Sequence, residues 1–531
     1  VTNNYKILIT DPVDDACVEI IKQEGFTVDK KTGLSEEQII DIIGGYHVLI
    51  VRSGTQVTQK VIDSAENLKI IGRAGTGVDN IDIDAATRRG IIVMNTPGGN
   101  TVSTAEHTIS MLMALARNIP QASAALREAK WDRKTYRGVE LFGKTIGIVG
   151  LGKVGKEVAA RLRGFEMKIL GFDPLVSDDA IEKLNIEPVT IEELLRRSDY
   201  ITLHTPLTDN TRNLLNAKTL QECKRGVRIV NCARGGIIDE QALLDALNSG
   251  QVAGAAIDVF EQEPPPEDYQ LVRHNKVVAT PHLGASTVEA QEKVAIQIAH
   301  QVADALKERS LVGAVNASAA QFSIREDHKP YLQLAERMGK IVGQLVEGKL
   351  KSVTFATSGN GLHSSFEILK SAMLRGVLSP RLDYPVNDVN APYFARELGI
   401  GLSDRKDDAT GNYSQLITVE YETDKEKRKI MGTVFGANAI RIVQMDEYRV
   451  EIEPSGYMLF YWNIDRPGML ASVGSVLAEA NINIAGLSLG RKGAGSEALT
   501  IIDLDNEVPT TVVKQIAKID GVINPKLVKV D

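Results

Sequence analysis

At 531 residues, with 43% apolar and 24% charged side chains, the chain has material for about three or four domains with buried cores of their own. A formal net charge of −8 argues against non-specific affinity for nucleic acid or an anionic membrane, and leaves room for local basic pockets that take small anions. Cys17, Cys223 and Cys232 show no CxxC spacing and one of the three must stay unpaired, which points to a reducing compartment and so to the cytoplasm.

No apolar run reaches the ~18 residues of a membrane span, and the opening VTNNYKILIT enters a strand without a signal-peptide layout. The initial Val1 leaves open the removal of an organelle-targeting segment. In chain order, YKILIT, YHVLIVRS, LKIIGRAG and IIVMNTP are short Ile/Val-rich strands separated by helical patterns, as in a parallel sheet covered on both faces. TVSTAEHTISMLMALARNIPQASAALREAKW predicts two helices broken near Pro120, with apolar faces that need cover from a second copy.

A second alternating series follows: KTIGIVG, MKILGFDP, YITLHTPL, RIVNCARGG, GAAIDVF and KVVATPHLG. These make six strands, the count of a complete dinucleotide-binding sheet. The long amphipathic helix STVEAQEKVAIQIAHQVADALKERS then returns to the first sheet. From about 316 the texture changes to a helix, a strand and an antiparallel meander, and the chain ends in a βαββαβ pattern. The expected organisation is 1–98 plus 288–315 as a discontinuous substrate-binding domain, 99–287 as a dinucleotide-binding domain, 316–453 as an α+β domain, and 455–531 as a ferredoxin-like unit. The fold class is α/β, with two Rossmann-like parallel-sheet domains leading.

GIVGLGKVGKEVA places Gly150, Gly152 and Gly155 in GxGxxG spacing, after a strand and at the start of a helix. Such a loop turns tightly, lets a pyrophosphate approach the backbone and aims a helix N-terminus at it. Asp173 ends the next strand roughly 20 residues on, where an acid binds the ribose hydroxyls, and no Arg follows to hold a 2′-phosphate. The pattern favours NAD over NADP, and it calls for no metal.

Oxidation of a hydroxy acid needs a base and a cation for the carboxylate. Arg234, between small and glycine residues at a strand's C-terminal tip, suits the cation, because a guanidinium grips a carboxylate with two hydrogen bonds. His282, after strand KVVAT and Pro281, projects from the same rim and suits the base. Glu263 in DVFEQEP can orient it, with Glu261 as the local rival, and Asp258 could hold a nicotinamide amide. A phosphate on the substrate would need further cations. Arg52 and Arg73 end strands of the first domain, and Arg133, with Lys134 and Arg137 in WDRKTYRG, is either a third source or a solvated face.

GLGKVGKEVA, NCARGGIIDE, DVFEQEP and TPHLGAST together resemble the signatures of the D-isomer-specific 2-hydroxyacid dehydrogenases. GRAGTGVDNIDIDAATRRGIIVMNTPGGNTVSTAEH is similar to the branch of that family that acts on 3-phospho-D-glycerate. The resemblance implies Arg234, Glu263 and His282 as the catalytic set. It implies cofactor contacts at Thr76, Lys153, Val154, Asp173, Thr205, Cys232, Ala233, Arg234, Asp258, His282, Leu283, Gly284 and Ala285. The implied activity is NAD-dependent oxidation of 3-phospho-D-glycerate, the entry to L-serine synthesis, by a homodimer or homotetramer. Arg133 could then be supplied across a dimer interface.

VNAPYFARELGI and GTVFGANAIRIV resemble the intervening domain of the long form of that branch, and YWNIDRPGMLASVGSVLAEANINIAGL resembles the ACT domain, a small-ligand regulatory module. The latter likeness implies L-serine contacts at Asn463, Asp465 and Asn483. Two other readings stand beside this one: a dehydrogenase of another 2-hydroxy acid, such as 2-hydroxyglutarate or glyoxylate, and an NAD-sensing, corepressor-like binding protein.

Overall fold

A computed structural model describes residues 5–317, 325–409, 411–493 and 495–531. The expected junction at 316 adjoins residues 318–324, which lie outside the described ones.

Strands β1 (Lys6–Ile9), β2 (Thr27–Lys30), β3 (Val48–Val51), β4 (Ile70–Arg73) and β5 (Ile92–Asn95) form a parallel sheet in the order β2-β1-β3-β4-β5. The edge strand β2 was not expected. Its sequence, Thr-Val-Asp-Lys, carries one apolar residue, and neither end of it is buried. The helix Val288–Leu306 lays Val294, Ile298 and Val302 onto Ile7, Ile9, Val48 and Ile50 of this sheet. Each such burial contributes roughly 1.5–3 kcal/mol before ordering entropy is offset. That apolar stripe is what brings the chain back to its first sheet.

The second sheet holds β6 (Thr145–Val149), β7 (Lys168–Phe172), β8 (Glu187–Pro188), β9 (Tyr200–Leu203), β10 (Val227–Asn231), β11 (Val252–Ile257) and β12 (Val277–Ala279), all parallel. Its order is β12-β11-β10-β9-β6-β7-β8, seven strands rather than the six expected. The additional one, β8, has two residues and ends in proline, so it leaves no apolar run in the sequence. The order reverses between β6 and β9, the crevice where ligands bind in open α/β sheets.

The two helices that follow the first sheet span Thr101–Arg117 and Ile119–Arg127. They break at Asn118, in the left-handed region at φ 52°, rather than at Pro120, which sits in the first turn of the second helix where its missing N–H costs nothing. Met111, Leu112 and Leu115 pack on the second sheet, while Val102, Ile119, Leu126 and Trp131 stay exposed.

The third unit is a mixed sheet of β13 (Leu350–Ser358), β14 (Gly401–Asp407), β15 (Leu416–Thr423), β16 (Lys427–Phe435), β17 (Ala439–Met445) and β18 (Tyr448–Ile452), in the order β14-β13-β15-β16-β17-β18. The last is an antiparallel sheet of β19 (Tyr457–Ile464), β20 (Ile484–Arg491), β21 (Glu497–Leu504) and β22 (Val522–Lys529), in the order β20-β21-β19-β22, with two helices. Alternation along β19 divides its side chains. Leu459 and Tyr461 join the unit's own helices, while Met458, Phe460 and Trp462 enter the core of the third unit. One hydrophobic core therefore runs through both. No helix among the described residues is long and apolar enough to cross a membrane.

Candidate active site

The catalytic candidates gather at the C-terminal rim of the second sheet, and local bonding explains why. At the end of β10 the buried Asn231 accepts the Ala233 N–H through Oδ1 (3.0 Å) and donates from Nδ2 to the Arg234 carbonyl (2.9 Å), which folds the chain into a turn beneath Arg234. Gly235 follows because a Cβ there would stand 1.9 Å from the Phe260 carbonyl oxygen. That close approach sets the β10 loop against the β11 loop. Phe260 N–H then donates to Glu263 Oε1 (3.0 Å), and Glu263 Oε2 accepts a hydrogen bond from His282 Nδ1 at 2.7 Å. A carboxylate only accepts, so Nδ1 carries the proton and Nε2 is left as the free base. The imidazole bonds Glu263 and not its rival Glu261, whose backbone N–H donates to Glu240.

His282 adopts φ 54°, a left-handed backbone that costs about 1–2 kcal/mol in a non-glycine residue. Asp258 offsets that cost. Its fully buried carboxylate accepts the N–H groups of Leu283 (2.7 Å) and Gly284 (2.8 Å), and its carbonyl accepts that of His282 (2.9 Å). Thr280 Oγ1 donates to the same carboxylate at 2.6 Å, and His107 Nε2 lies 3.1 Å from it. His107, Cys232 and Asp258 bring one ligand-type atom each within 4.8 Å of one another, but the Asp258 oxygens already serve this loop.

A cavity of about 270 Å³ opens over this rim. Of the expected cofactor residues it is lined by Thr76, Val154 and Thr205, by Cys232, Ala233 and Arg234, and by Asp258, His282, Gly284 and Ala285. Asn100, Thr104, His204 and Pro206 complete the wall and escaped sequence reasoning. The glycine loop lies outside this lining. There Gly150 turns at φ 92°, a Cβ on Gly155 would meet the Gly150 carbonyl oxygen at 2.1 Å, and one on Gly152 would meet nothing within 4 Å. The helix Lys153–Leu162 starts at Gly152 with no side-chain cap, so its first N–H groups are available to a phosphate. Lys153 Nζ donates to the Pro97 carbonyl, and Leu283 is partly exposed. Asp173 accepts the N–H groups of Leu151 and Leu175, one on each oxygen, with a lone pair on each still open. Uncapped helix, open glycine face and terminal acid together fit NAD.

Charges in the cleft are sorted by their surroundings. Burial works against the ionised Glu263, but the His282 and Phe260 hydrogen bonds outweigh it and hold its pKa below the usual 4.5. The stabilisation from that shift is complete above pH 4.5 and is lost as pH falls through the lower folded value. Glu263 is thus ionised wherever a histidine can act as base. Burial takes His204 down to about 4 and pushes the Cys232 thiol up, so both stay neutral beside the cofactor path.

A second cavity of about 100 Å³ adjoins the first and is lined by Arg52 and Arg73 together with Arg234 and His282. Burial, assisted by the charge of Arg234, takes Arg73 down to about 10, and its Nε is buried without a hydrogen-bond partner. A cation held at such cost is a site for an anion. Arg133 does not join it. It is exposed on the loop after the second long helix and lines neither cavity.

The residues expected to hold a regulatory ligand also separate. Asn463 pairs across β21 with Ala498, whereas Ile484, next to Asn483, pairs with Leu504 at the opposite end of that strand. Six residues of strand put them roughly 20 Å apart. Asn463 is buried and accepts from Thr500, Asp465 pairs with Arg491 at 2.6 Å, and Asn483 donates to Asp505. The three do not form one pocket within a single chain.

Residues 109–284 match the family model for the D-isomer specific 2-hydroxyacid dehydrogenase NAD-binding domain, so the class is that of NAD-dependent 2-hydroxyacid oxidoreductases. Residues 327–446 match the D-3-phosphoglycerate dehydrogenase intervening domain and 457–521 the ACT domain. The chain is 42% identical over 525 residues to the D-3-phosphoglycerate dehydrogenase of Synechocystis, covering 99% of this chain and 94% of that one. It is 41% identical over 526 residues to the one from Archaeoglobus fulgidus, covering 99% and 100%. Among solved structures, a glyoxylate reductase from Paecilomyes thermophila superposes with a TM-score of 0.54 at 30% identity, covering 59% of this chain and 98% of that one. The chain belongs to the D-3-phosphoglycerate dehydrogenase family.

Proposed function

We propose that this chain oxidises 3-phospho-D-glycerate to 3-phosphohydroxypyruvate with NAD+, opening the phosphorylated route to L-serine. The observation that carries the substrate choice is the half-buried Arg73, its Nε enclosed without a hydrogen-bond partner, beside Arg52 in a cleft that also contains Arg234 and His282. Arg234 takes the C1 carboxylate and the C2 oxygen, while Arg52 and Arg73 take the phosphate. His282 Nε2 removes the C2 hydroxyl proton as the C2–H bond breaks and C2=O forms. Glu263 keeps the imidazole in the correct tautomer and stabilises the imidazolium. NAD+ supplies the hydride acceptor.

Measuring NADH formation across D-2-hydroxy acids tests this. The expected kcat/KM for 3-phospho-D-glycerate exceeds that for D-glycerate or D-lactate by about 10²-fold or more, since an unfilled anion site leaves half-buried cations unpaired. Arg73→Gln collapses that preference with little effect on D-glycerate. Equal turnover of phosphorylated and plain acids contradicts the reading.

The exposed Val102, Ile119, Leu126 and Trp131 support pairing of two copies along the long helices, which would carry Arg133 toward a partner's cleft. The separation of Asn463 and Asp465 from Asn483 supports an L-serine site shared between two terminal units. A rate unchanged by L-serine in the same assay counts against that site. Three unpaired, buried cysteines suit a reducing compartment such as the cytoplasm.

A further inference from the structure

The smaller cavity is lined by three guanidinium groups, Arg52, Arg73 and Arg234, and by one carboxylate, that of Asp79. Asp79 Oδ2 accepts the Nε–H of Arg234 at 2.9 Å. Nη1 of the same guanidinium donates to the Ala233 carbonyl at 2.7 Å, and Nη2 lies over Gly77, where a Cβ would come within 2.2 Å of it. Gly77 and Asp79 belong to the loop after β4 in the first sheet unit, and Arg234 to the loop after β10 in the second. The bond therefore crosses the cleft. Among the described residues it is the only ion pair joining the two sheet units.

Two effects of Asp79 on an incoming anion have opposite signs. As a negative charge it repels the substrate, so its removal would tighten binding. As a hydrogen-bond acceptor it restrains a long side chain that otherwise samples many rotamers, so its removal would loosen binding. The Asp79 side chain is 71% exposed and that of Arg234 31%. Solvent screens the repulsion from so exposed a charge, which makes it the weaker of the two effects. The bond to Nε is local and fixes which edge of the guanidinium stays free. With Nε bound to Asp79 and one Nη1–H bound to the Ala233 carbonyl, the N–H groups left to a ligand are the second on Nη1 and those on Nη2, the end-on pair that grips a carboxylate.

We propose that Asp79 is a positioning residue that holds Arg234 from across the cleft, presenting its Nη1–Nη2 edge to the carboxylate of the 2-hydroxy acid. The proposal rests on the role given to Arg234 above. It makes Asp79 a determinant of substrate affinity without contact with the reacting carbon.

The test uses the full chain carrying Asp79→Ala or Asp79→Asn, each with native Arg234 and with Arg234→Ala, in kinetics with 3-phospho-D-glycerate. NAD+ affinity by calorimetry reports on folding. Asp79→Ala is expected to raise KM about 10-fold with kcat within about 3-fold, and Asp79→Asn, whose amide oxygen still accepts, to recover to within about 3-fold of the unaltered enzyme. With Arg234→Ala the Asp79 change adds nothing. A KM that falls or stays constant in Asp79→Ala, or an undiminished effect in the absence of Arg234, overturns the proposal. A crystal structure of Asp79→Ala decides without turnover: the guanidinium leaves its place if Asp79 positions it, and keeping that place overturns the proposal. Absence of turnover by the unaltered chain would instead defeat the substrate assignment.

Discussion

Replacing His282 with alanine lowers kcat by about 10²–10⁴-fold, the range for losing a positioned general base. The NAD+ dissociation constant stays nearly unchanged, because the glycine loop, the uncapped helix at Gly152 and Asp173 are untouched. The imidazole itself is held by one hydrogen bond, from Nδ1 to Glu263, and the unusual backbone beneath it is fixed by Asp258. Single-turnover NADH formation measures the loss directly. A variant retaining more than about a tenth of native kcat would move the base elsewhere.

The second large effect is expected at Arg234. Arg234→Lys keeps the positive charge but loses both the planar fork and the Nε–H that Asp79 holds. Losing a charge-assisted hydrogen bond of about 1.5–3 kcal/mol raises KM for the acid about 10- to 150-fold. The proposed role of the same group in polarising the C2 oxygen as it becomes a ketone predicts a lower kcat as well. Steady-state kinetics at saturating NAD+ separates the two. A lysine variant with native KM would show that charge alone recruits the substrate and that the fork is idle.

The gathering of the candidate residues on one rim was legible in the sequence for a physical reason. Buried parallel strands read as continuous apolar runs, and residues just past their C-terminal ends face the crevice, so Arg234, Glu263 and His282 announce themselves by position. The glycine loop was legible because its backbone approaches are so close that only glycine fits at Gly155. Asp79 was not, since it lies in a loop of the other sheet unit and its meaning exists only once the cleft closes over Arg234. Asn100 and Thr104 reach the cavity from the start of a helix whose sequence reads as an ordinary amphipathic stripe. His204 follows an apolar strand, where a packed, hydrogen-bonded role is the ordinary expectation, yet it faces the cavity. Register decided the terminal unit. The antiparallel pairing of β19 with β21 sends Asn463 and Asn483 to opposite ends, which no spacing in the sequence reveals. The two-residue strand β8 and the largely polar edge strand β2 carry too little apolar surface to be seen without their neighbours.

A structure of the ternary complex with NADH and 3-phosphohydroxypyruvate tests the central claim most directly. The arrangement derived above places the C1 carboxylate on the Nη1–Nη2 edge of Arg234, the C2 oxygen within hydrogen-bond reach of His282 Nε2, and the phosphate against Arg52 and Arg73. A ligand bound in the reverse sense, with its phosphate on Arg234 and its carboxylate at Arg73, would contradict it.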